Sequence, residues 1–470
     1  DAFNSRVQSA EDSLGPSTLT GIAPVWTFSL SSRGDTGSLN STPVTSGGCV
    51  FVASSNGTAY AIDAGSGTVR WQTSLPAVST GLGGEIVGAP AVSGGKLIVL
   101  VNQQGDGAVG PYVAALDVHS GRTLWTSTPL STLSGYYTNA SAQVFNGVVF
   151  AGFSPPEGDS TGQGGFVLLD VQSGRTLKIT TTITPADQAQ GFAGGGIWST
   201  PAFNGATGFA YVGAGNPYSK TVEDVHTNAI LKVDLRRNSK TFGDIVASYK
   251  GNVDQYTETL QALSQTPLCV ASEDVPDPLD DPVCGQLDLD FGAAPNLFST
   301  GGRLLVGDLQ KSGVYHVADA GSMAPVWSTI VGASCAVCNA ASTAATGGAV
   351  YGESTPVGFE FSLDGGTGAQ RWATPVGDVV HYQSTSIANG IAYTFDTAGF
   401  FDAYDTETGV PLLRRPMTED AGAPTAAFTS GGVAIAYHTL FVAASEGGSS
   451  APSQASNGFL IAYRNAALLP

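Results

Sequence analysis

The chain is poor in charged residues and poorest in cations. Of its 470 residues only 12% are charged, and 19 Lys and Arg face 38 Asp and Glu, which gives a formal net charge of −19. Nucleic-acid binding depends on Lys and Arg facing phosphate, so this balance argues against DNA or RNA as a partner. It argues equally against an anionic membrane surface. We interpret the acidity as a means of keeping a secreted protein in solution.

Long apolar runs and long amphipathic helical patterns are also absent. No run approaches the roughly 18 apolar residues of a membrane helix, so no membrane span is predicted. The apolar fraction of 42% is nevertheless ample for a core, and 62 Gly and 25 Pro residues suit buried strands joined by tight turns. These proportions favour an all-β protein.

Metal sites built from His or Cys have no matching pattern in this chain. The five His residues show neither H-x-x-x-H nor HExxH spacing, which argues against a zinc hydrolase. Cys335-x-x-Cys338 is not followed by His, so it does not match a c-type haem attachment site, and no second CxxC completes a four-cysteine zinc site.

We interpret the Cys335–Cys338 pair as a local disulfide in preference to a redox pair. Cys269 and Cys284 flank an acidic, Pro-rich loop and predict a second disulfide, and Cys49 is predicted to be a small buried hydrophobe.

Several features favour a location outside the cytoplasm. The chain begins at Asp1 and not at Met, so a removed signal peptide is expected. Sequons for glycosylation occur at Asn40, Asn56 and Asn139. Together with the paired cysteines, these features predict a secreted or periplasmic protein.

A repeated pattern dominates the rest of the sequence. An apolar strand ends in Asp, a Gly follows four residues later, and a second strand comes next, as in AYAIDAGSGTVRW. The copies, strong and weak, lie at 59–71, 113–125, 166–178, 228–234, 314–327, 359–372 and 401–413. Apolar and polar residues alternate in each copy, which predicts a hairpin and not a helix. The Asp can accept backbone N–H groups in the turn, and the Gly supplies a positive φ.

The two ends of the chain complete one more unit. The strand GFLIAYR (458–464) has no following partner, and PVWTFSL (24–30) has no preceding one. The copies lie about fifty residues apart, which is room for four strands each. We therefore predict an all-β fold, an eight-bladed β-propeller of four-stranded antiparallel blades, closed by pairing of the N- and C-terminal strands. The whole chain, 1–470, is then one domain with an acidic, disulfide-stapled insertion at about 250–286.

Two stretches, 194–219 and 284–319, interrupt the repeat and contain candidate site residues. Trp198 offers a flat π-face for stacking on a planar ligand, although ordinary core packing is the alternative. Asn216, in GAGNP, offers an uncharged carbonyl oxygen, although Asn-Pro is also a common turn dipeptide.

Charged residues in the second stretch add to this set. Asp288 and Asp290 alternate with Leu residues, so both carboxylates project to one face of an extended segment. Two like charges so close need a cation or a proton, and the alternative is a solvated acidic loop. Lys311, in QKSG, could stabilise negative charge that develops on a ligand, or it could be a surface turn residue.

Taken in order, IWSTP, GAGNP, DLDFGAAPNL and QKSG resemble the quinoprotein alcohol dehydrogenases. The closest branch is the polyvinyl-alcohol-dehydrogenase-like proteins, and the resemblance covers nearly the whole chain. It implies that pyrroloquinoline quinone (PQQ) lies flat in the propeller axis on a metal ion, with Trp198 and Lys311 beside it. It further implies Asp288 as general base and Glu157, Asn216, Asp288 and Asp290 as metal ligands, with Asp159 as the alternative to Glu157. Oxygen ligands suit Ca²⁺. A second Asp two positions after the catalytic one resembles the lanthanide-using branch, so a lanthanide is the alternative ion.

The resemblance implies oxidation of a small or polymeric alcohol to an aldehyde or ketone. The chain lacks the haem domain found in many polymer-oxidising relatives, so a separate cytochrome or a diffusible molecule is expected to accept the electrons. The alternative is a cofactor-free propeller that binds a ligand or a protein partner. Such a propeller could also catalyse a non-redox reaction in a remodelled central pocket, such as glycoside hydrolysis by paired carboxylates.

Overall fold

The fold is an eight-bladed β-propeller, as predicted. A computed structural model of the chain describes residues 3–77, 84–103, 107–218, 224–252, 289–333, 339–354, 358–377, 382–422, 427–428, 431–447 and 456–465. Within these residues eight antiparallel sheets follow one another along the chain. We number the blades 1 to 8 in chain order.

Blades 1 to 4 each pair consecutive segments of the chain. Their strands are Val44–Ser46, Cys49–Ala53, Thr58–Asp63 and Val69–Ser74 in blade 1; Gly84–Glu85, Ala91–Ser93, Lys96–Gln103, Tyr112–Asp117 and Thr123–Thr126 in blade 2; Gln143–Phe145, Val148–Phe153, Gly165–Asp170 and Thr176–Thr181 in blade 3; and Ala202–Asn204, Phe209–Gly213, Ala229–Asp234 and Ile245–Lys250 in blade 4.

Blades 5 to 7 repeat this order, and blade 8 differs because it takes its outer strand from the start of the chain. The strands are Asn296–Thr300, Arg303–Leu309, Val314–Asp319 and Pro325–Ile330 in blade 5; Ala344–Ala345, Ala349–Ser354, Gly358–Asp364 and Gln370–Gly377 in blade 6; Ser386–Ala388, Ile391–Phe395, Phe400–Asp405 and Pro411–Pro416 in blade 7; and Ala427–Phe428, Ala434–Ala436, Thr439–Glu446, Ser456–Asn465 and Ile22–Ser29 in blade 8.

Helices are few and short. Within the described residues, the α-helices are Pro185–Gln188 and Met417–Ala421, and the 3₁₀ turns are Leu19–Gly21 and Leu30–Arg33. In the part of the chain that the structure describes, no helix combines the length and apolar character needed to cross a membrane.

The ring closes through the two ends of the chain. Ile22–Ser29 pairs antiparallel with Ser456–Asn465, with Ile22 opposite Asn465 and Ser29 opposite Phe459. Buried apolar clusters pack on both faces of this blade. The predicted closure by the N- and C-terminal strands is therefore confirmed, and the sheet edges that an open arc would expose are paired.

The repeated Asp residues make the predicted turns. The Oδ1 atom of Asp63 accepts the backbone N–H groups of Gly65 and Ser66 at 3.0 and 2.8 Å and the Ser66 hydroxyl at 2.9 Å. Gly67, four residues after the Asp, has φ of 73°. The same arrangement recurs at Asp117, Asp170, Asp364 and Asp405. The carboxylate thus fixes the turn, and the Gly adopts a conformation that other residues reach only with strain.

Five of the six tryptophans each join one blade to the next, at five of the eight junctions between blades. The indole Nε1–H of Trp71, in the outer strand of blade 1, donates to the carbonyl of Val118 in blade 2 at 3.0 Å. Trp26, Trp125, Trp327 and Trp372 donate in the same way to the residue that follows the turn Asp of the next blade. The turn Gly lies flat against the ring, so that a Cβ on Gly121 would lie 2.6 Å from Cε3 of Trp71. This contact, which we call the Trp–Gly clasp, needs Gly for two reasons: the positive φ and the close approach. Trp198 alone takes no part in it.

The first described residues line the inside of the ring. The carbonyls of Phe3, Ser5 and Arg6 accept N–H groups from the innermost strands of blades 5, 6 and 7, at 2.9, 2.9 and 2.8 Å. The Asn4 side chain donates to Thr200 ahead of blade 4, and the Gln8 side chain donates to Ile435 of blade 8. The segment 3–8 therefore bridges five blades next to the axis.

Several sequence predictions concern residues outside the described ranges. Cys269, Cys284, Cys335 and Cys338 lie there, so both disulfides remain predictions, and so does most of the insertion at about 250–286. Cys49 is described, and it is only partly buried, with a free thiol. The prediction that it is buried was wrong because it begins a strand at the rim of blade 1.

Acidic side chains are buried between blades 6 and 7. Glu353 and Glu360 lie opposite each other in adjacent strands and have no exposed surface. Burial, together with the neighbouring charge of Glu353, raises the pKa of Glu360 well above its usual range. Burial also raises the pKa of Asp402 to about 7, although its Oδ2 lies 2.8 Å from Nη1 of Arg414. This interface is therefore stable with protonated carboxyl groups.

We expect replacement of the turn Gly to weaken the Trp–Gly clasp. Gly121→Ala should lower the free energy of unfolding by about 3 kcal/mol, since left-handed strain of about 1–2 kcal/mol adds to an overpacking cost of similar size. Gly95→Ala is the matched control, because Gly95 also has a positive φ of 75° but no atom within 4 Å of a new Cβ. Thermal unfolding of both variants checks this. Equal loss of stability in the two would show that strain alone matters and that the clasp does not.

The acidic interface predicts a specific pH dependence. A folded-state pKa raised to about 7 at Asp402 means that the folded protein holds a proton that the unfolded chain releases above about pH 4. Stability from this group is present at low pH and is lost as the pH rises from about 4 to 7. Asp402→Asn should therefore flatten the fall in unfolding free energy between about pH 4 and 7. A slope unchanged by the substitution would contradict the assignment.

Candidate active site on the propeller axis

The residues just ahead of the innermost strands surround a cavity of about 370 Å³ on the propeller axis. Its lining includes Trp198, Lys311 and Tyr382 together with Arg6, and polar residues from nearly every blade complete it. No Asp or Glu occurs among the described residues that line this cavity. We call it the Trp198 cavity.

The half-buried Trp198 and the buried Asp290 and Lys311 form one cluster at its wall. The indole Nε1–H of Trp198 donates to Oδ2 of Asp290 at 2.8 Å. The other oxygen of this carboxylate, Oδ1, lies 2.8 Å from Nζ of Lys311, and the two side chains are only 6% and 10% exposed. The Lys311 Nζ also lies 5.1 Å from the centre of the Trp198 ring, within cation–π range. A carboxylate, a cation and a flat aromatic group are thus held together.

Local chain geometry explains why these three residues meet. Trp198 precedes the innermost strand of blade 4, Asp290 precedes that of blade 5, and Lys311 lies in the turn between Arg303–Leu309 and Val314–Asp319. The backbone N–H of Lys311 donates to the carbonyl of Asp290 at 3.2 Å, which ties the two segments together. Gly292 packs against the indole so closely that a Cβ there would overlap the ring. The glycine in DLDFG therefore makes room for Trp198.

Asn216 lies next to this cluster. It is 4% exposed, and its backbone carbonyl accepts the N–H of Gly195 at 2.8 Å. Gly215, the residue before it, runs past the indole, so that a Cβ there would lie 3.4 Å from Nε1 of Trp198. The structure thus brings the predicted residues Trp198, Asn216, Asp290 and Lys311 together.

The other two predicted site residues are not placed in this cluster. Glu157 lies in a turn of blade 3 with an exposed side chain. The loop that contains it contacts the glycine run ahead of Trp198, because the N–H of Gly164 donates to the carbonyl of Gly194 at 2.9 Å. Asp288 lies outside the described residues. Both therefore remain predictions.

Sequence reasoning did not identify Tyr382 or Arg6 as lining residues. Burial raises the pKa of the Tyr382 hydroxyl, and the positive charge of Lys311 opposes this rise. Arg6 lies near the start of the chain, and nothing in its local sequence marks its side chain as axial. Its position follows from the hydrogen bonds of segment 3–8 to the inner strands.

Comparisons with known proteins agree with this arrangement. Residues 20–274, more than half of the chain, match the family model PQQ_2, described as outer membrane protein assembly factor BamB. The chain belongs to this family. Its members share the repeated propeller blade, and membership by itself does not assign a reaction.

Individual relatives include dehydrogenases. The chain is 28% identical to a polyvinylalcohol dehydrogenase of Pseudomonas sp. over 218 residues, which is 42% of this chain and 33% of the relative. It therefore spans about a third of the length of that relative. Among solved structures, the quinohemoprotein alcohol dehydrogenase of Comamonas testosteroni superposes with a TM-score of 0.71 at 14% identity, over 98% of this chain and 79% of that one. A europium-containing methanol dehydrogenase superposes with a TM-score of 0.71 at 14% identity, over 99% and 96%. At such identities these structures establish the fold alone.

Removing either partner of the buried Asp290–Lys311 pair tests how strongly the two side chains are coupled. Asp290→Asn or Lys311→Met alone should lower the free energy of unfolding by roughly 3–5 kcal/mol, because each leaves a buried charge without its partner. The double variant should lose less than the sum of the two. Lys178→Met is the matched control, since Lys178 pairs with Asp244 at the same 2.8 Å but both side chains are exposed by more than a third. It should cost at most about 1 kcal/mol. Additive losses in the double variant would contradict the coupling.

Proposed function

We propose that this chain is a PQQ-dependent alcohol dehydrogenase that oxidises an alcohol to an aldehyde or ketone. The observation that carries the proposal is the buried cluster of Trp198, Asp290 and Lys311 on the axis of a propeller that matches quinoprotein dehydrogenases along its length. Five tryptophans serve the Trp–Gly clasp, and the remaining one lies at the axial cavity. The buried carboxylate of Asp290 and the buried lysine Lys311 place two charged groups that could take part in catalysis next to this indole.

The lining of the Trp198 cavity fits PQQ in size and charge. PQQ is a flat, aromatic tricarboxylate, and ligand cavities commonly have volumes of about 300–1,000 Å³. The cavity offers about 370 Å³, an indole and two cationic side chains, Lys311 and Arg6, without a described acidic residue in its lining. Bound at this site, the quinone would supply the two-electron acceptor that no side chain can provide.

The residues of the chain have distinct roles in this proposal. Asp290 does not itself line the cavity, but it contacts the lining residues Trp198 and Lys311. In this proposal it accepts the proton of a substrate hydroxyl that reaches it at the edge of the cavity beside these two residues. Lys311 stabilises negative charge beside the ring of Trp198. The Nε1–H group of Trp198 orients the Asp290 carboxylate by donating a hydrogen bond to Oδ2. Water is largely excluded from Asp290 and Lys311. This exclusion strengthens the hydrogen bond from Trp198 to Asp290 and the ion pair between Asp290 and Lys311.

The choice of Asp290 bears on the metal ion. If Asp290 is the base, the position two residues later is Gly292, which carries no ligand and has no room for a side chain beside Trp198. The second Asp that the lanthanide-using branch has two positions after its catalytic Asp is then absent. Its absence favours Ca²⁺ over a lanthanide. The Asn216 amide and an Asp290 oxygen would contribute to such a site, with Glu157 and Asp288 as further predicted ligands. Oxygen donors of this kind suit Ca²⁺.

Partners and location follow from the same proposal. A separate cytochrome or a diffusible molecule would take the electrons, and a small or polymeric alcohol would be the substrate. The match to a family described as an outer membrane protein assembly factor supports a periplasmic or secreted location.

That same description favours one alternative function. In the second candidate the propeller binds a protein partner without a cofactor, as the name assembly factor suggests for the family. The buried Asp290–Lys311 pair would then serve only stability.

Turnover by matched variants tests the dehydrogenase. The protein reconstituted with PQQ and Ca²⁺ should reduce a dye in the presence of ethanol, butan-2-ol or polyvinyl alcohol. Asp290→Asn should lower kcat by about 100-fold or more, the usual worth of a general base, with quinone binding retained. Asp288→Asn changes only a predicted metal ligand in this account, so it should retain kcat within a few-fold once Ca²⁺ is saturating. Loss of activity in Asp288→Asn alone would assign the base to Asp288, as the sequence predicted. Quinone binding without turnover on any alcohol would contradict the proposed function.

A further inference from the structure

Arg6 occupies an unusual backbone conformation next to the axis. Its φ is 54°, in the left-handed region, which costs a residue with a side chain about 1–2 kcal/mol. The strain persists because its carbonyl accepts the N–H of Ile387 at 2.8 Å and that of Ser5 accepts the N–H of Ala345. Strain held in place by its surroundings is often found where a side chain has a specific task.

The Arg6 side chain lies between two cavities. It lines the Trp198 cavity and also a second cavity of about 700 Å³, formed by innermost strands such as Val44–Ser46 and Gln143–Phe145. Its Nε is enclosed and has no hydrogen-bond partner among the described residues. No described carboxylate forms an ion pair with its guanidinium, and burial lowers the pKa of this group to about 10. Arg6 is half-buried and faces both cavities, so with no described counter-ion its positive charge is compensated by solvent alone in the free protein.

Four hydroxyl groups surround the axis at the boundary between the two cavities. Thr42, Ser141, Thr200 and Ser342 all line the Trp198 cavity, and the first three also line the second cavity. Each hydroxyl oxygen accepts a backbone N–H from a neighbouring blade, at 2.7, 3.0, 3.1 and 2.9 Å respectively. We call these residues the hydroxyl belt.

The protons of the hydroxyl belt are available for a ligand. A hydroxyl that accepts an N–H still has its own O–H to donate. Among the described residues, none accepts a hydrogen bond from these four groups. Each O–H can therefore donate to a ligand in the cavity that its residue lines.

The charge of the channel has the sign that attracts anions. Neither cavity has an Asp or Glu among its described lining residues, and the charged residues there are Arg6 and Lys311. This holds in a chain whose net charge is −19. A guanidinium and several O–H donors without described acceptors form a receptor for a carboxylate, which Arg can bind through two parallel hydrogen bonds.

We propose that Arg6 and the hydroxyl belt bind a carboxylate group on the propeller axis. Two sources share this chemistry: a small free carboxylate that enters from the second cavity, or a carboxylate of the quinone in the Trp198 cavity. The site exists in either case, and only the second source depends on the proposed function.

Small carboxylates test the site in the protein without PQQ. The ¹³C line of [1-¹³C]acetate should broaden with the wild-type protein and with Arg122→Met. Arg122 is exposed, and no side-chain contact is recorded for it in the described structure, so this variant controls for the change in net charge. Arg6→Met should weaken acetate binding by tenfold or more, because a charge-assisted hydrogen-bonded pair is lost. Arg6→Lys should bind at an intermediate level, since it keeps the charge but not the planar fork.

Thermal unfolding without added anions separates binding from a structural role. A residue whose charge is uncompensated costs stability, so Arg6→Met should unfold at the same temperature as wild type or higher. Saturating acetate should then raise the midpoint of the wild type and not that of the variant. A variant that unfolds earlier, with no effect of acetate on wild type, would show that Arg6 is structural and would overturn the proposal for free carboxylates.

The quinone source is tested with PQQ and its trimethyl ester, which lacks the three negative charges. If Arg6 holds a carboxylate of the quinone, wild type should bind PQQ at least tenfold more tightly than the ester, and Arg6→Met should reduce this preference.

If wild type binds PQQ with an affinity that Arg6→Met leaves unchanged, the quinone does not use this site, although the dehydrogenase proposal stands. If wild type binds acetate but not PQQ, the proposed function fails and the carboxylate site stands. Binding of neither would overturn the inference.

Discussion

Pairing of Ile22–Ser29 with Ser456–Asn465 is the contact on which the axial site depends. The site draws Trp198 from blade 4 and Asp290 and Lys311 from blade 5, and its lining comes from nearly every blade. These residues meet only if the innermost strands converge on one axis, which requires a closed ring. The same closing strand follows directly on the segment that carries Arg6 into the ring. A single pairing between distant parts of the sequence therefore fixes both the cavity and its cation.

Charge is arranged differently at the axis and at the surface. The protein has twice as many acidic as basic residues, yet the described lining of the axial cavities contains only cations among its charged groups. The carboxylate of Asp290 contacts Trp198 and is compensated by Lys311, so the pair is neutral as a unit. Arg6 has no such partner among the described residues. This contrast distinguishes two charges that compensate each other within the protein from a cation that is best explained by a ligand.

The repeat predicted the fold well because its information is local. The spacing of Asp and Gly specifies a turn, as at Asp63 and Gly67, and the recurrence of that turn gives the number of blades.

The site was predicted less completely. Alternation put Asp288 and Asp290 on one face, but only tertiary contacts show that Asp290 reaches Trp198 and Lys311. Arg6 carries no local signal, since its position follows from hydrogen bonds to strands hundreds of residues away. Glu157 was inferred from the family alone, and it lies in an exposed turn.

The central claim is that the propeller axis binds PQQ against Trp198. The most direct measurement is an equilibrium titration of the purified protein with PQQ, followed by quinone absorption and indole emission, in the presence of Ca²⁺ or La³⁺. The account predicts binding of one equivalent that depends on Ca²⁺, with quenching that is lost in Trp198→Phe, in which no indole is available at the axis. No binding with either metal ion would contradict it and would leave a propeller whose axial cluster serves another ligand.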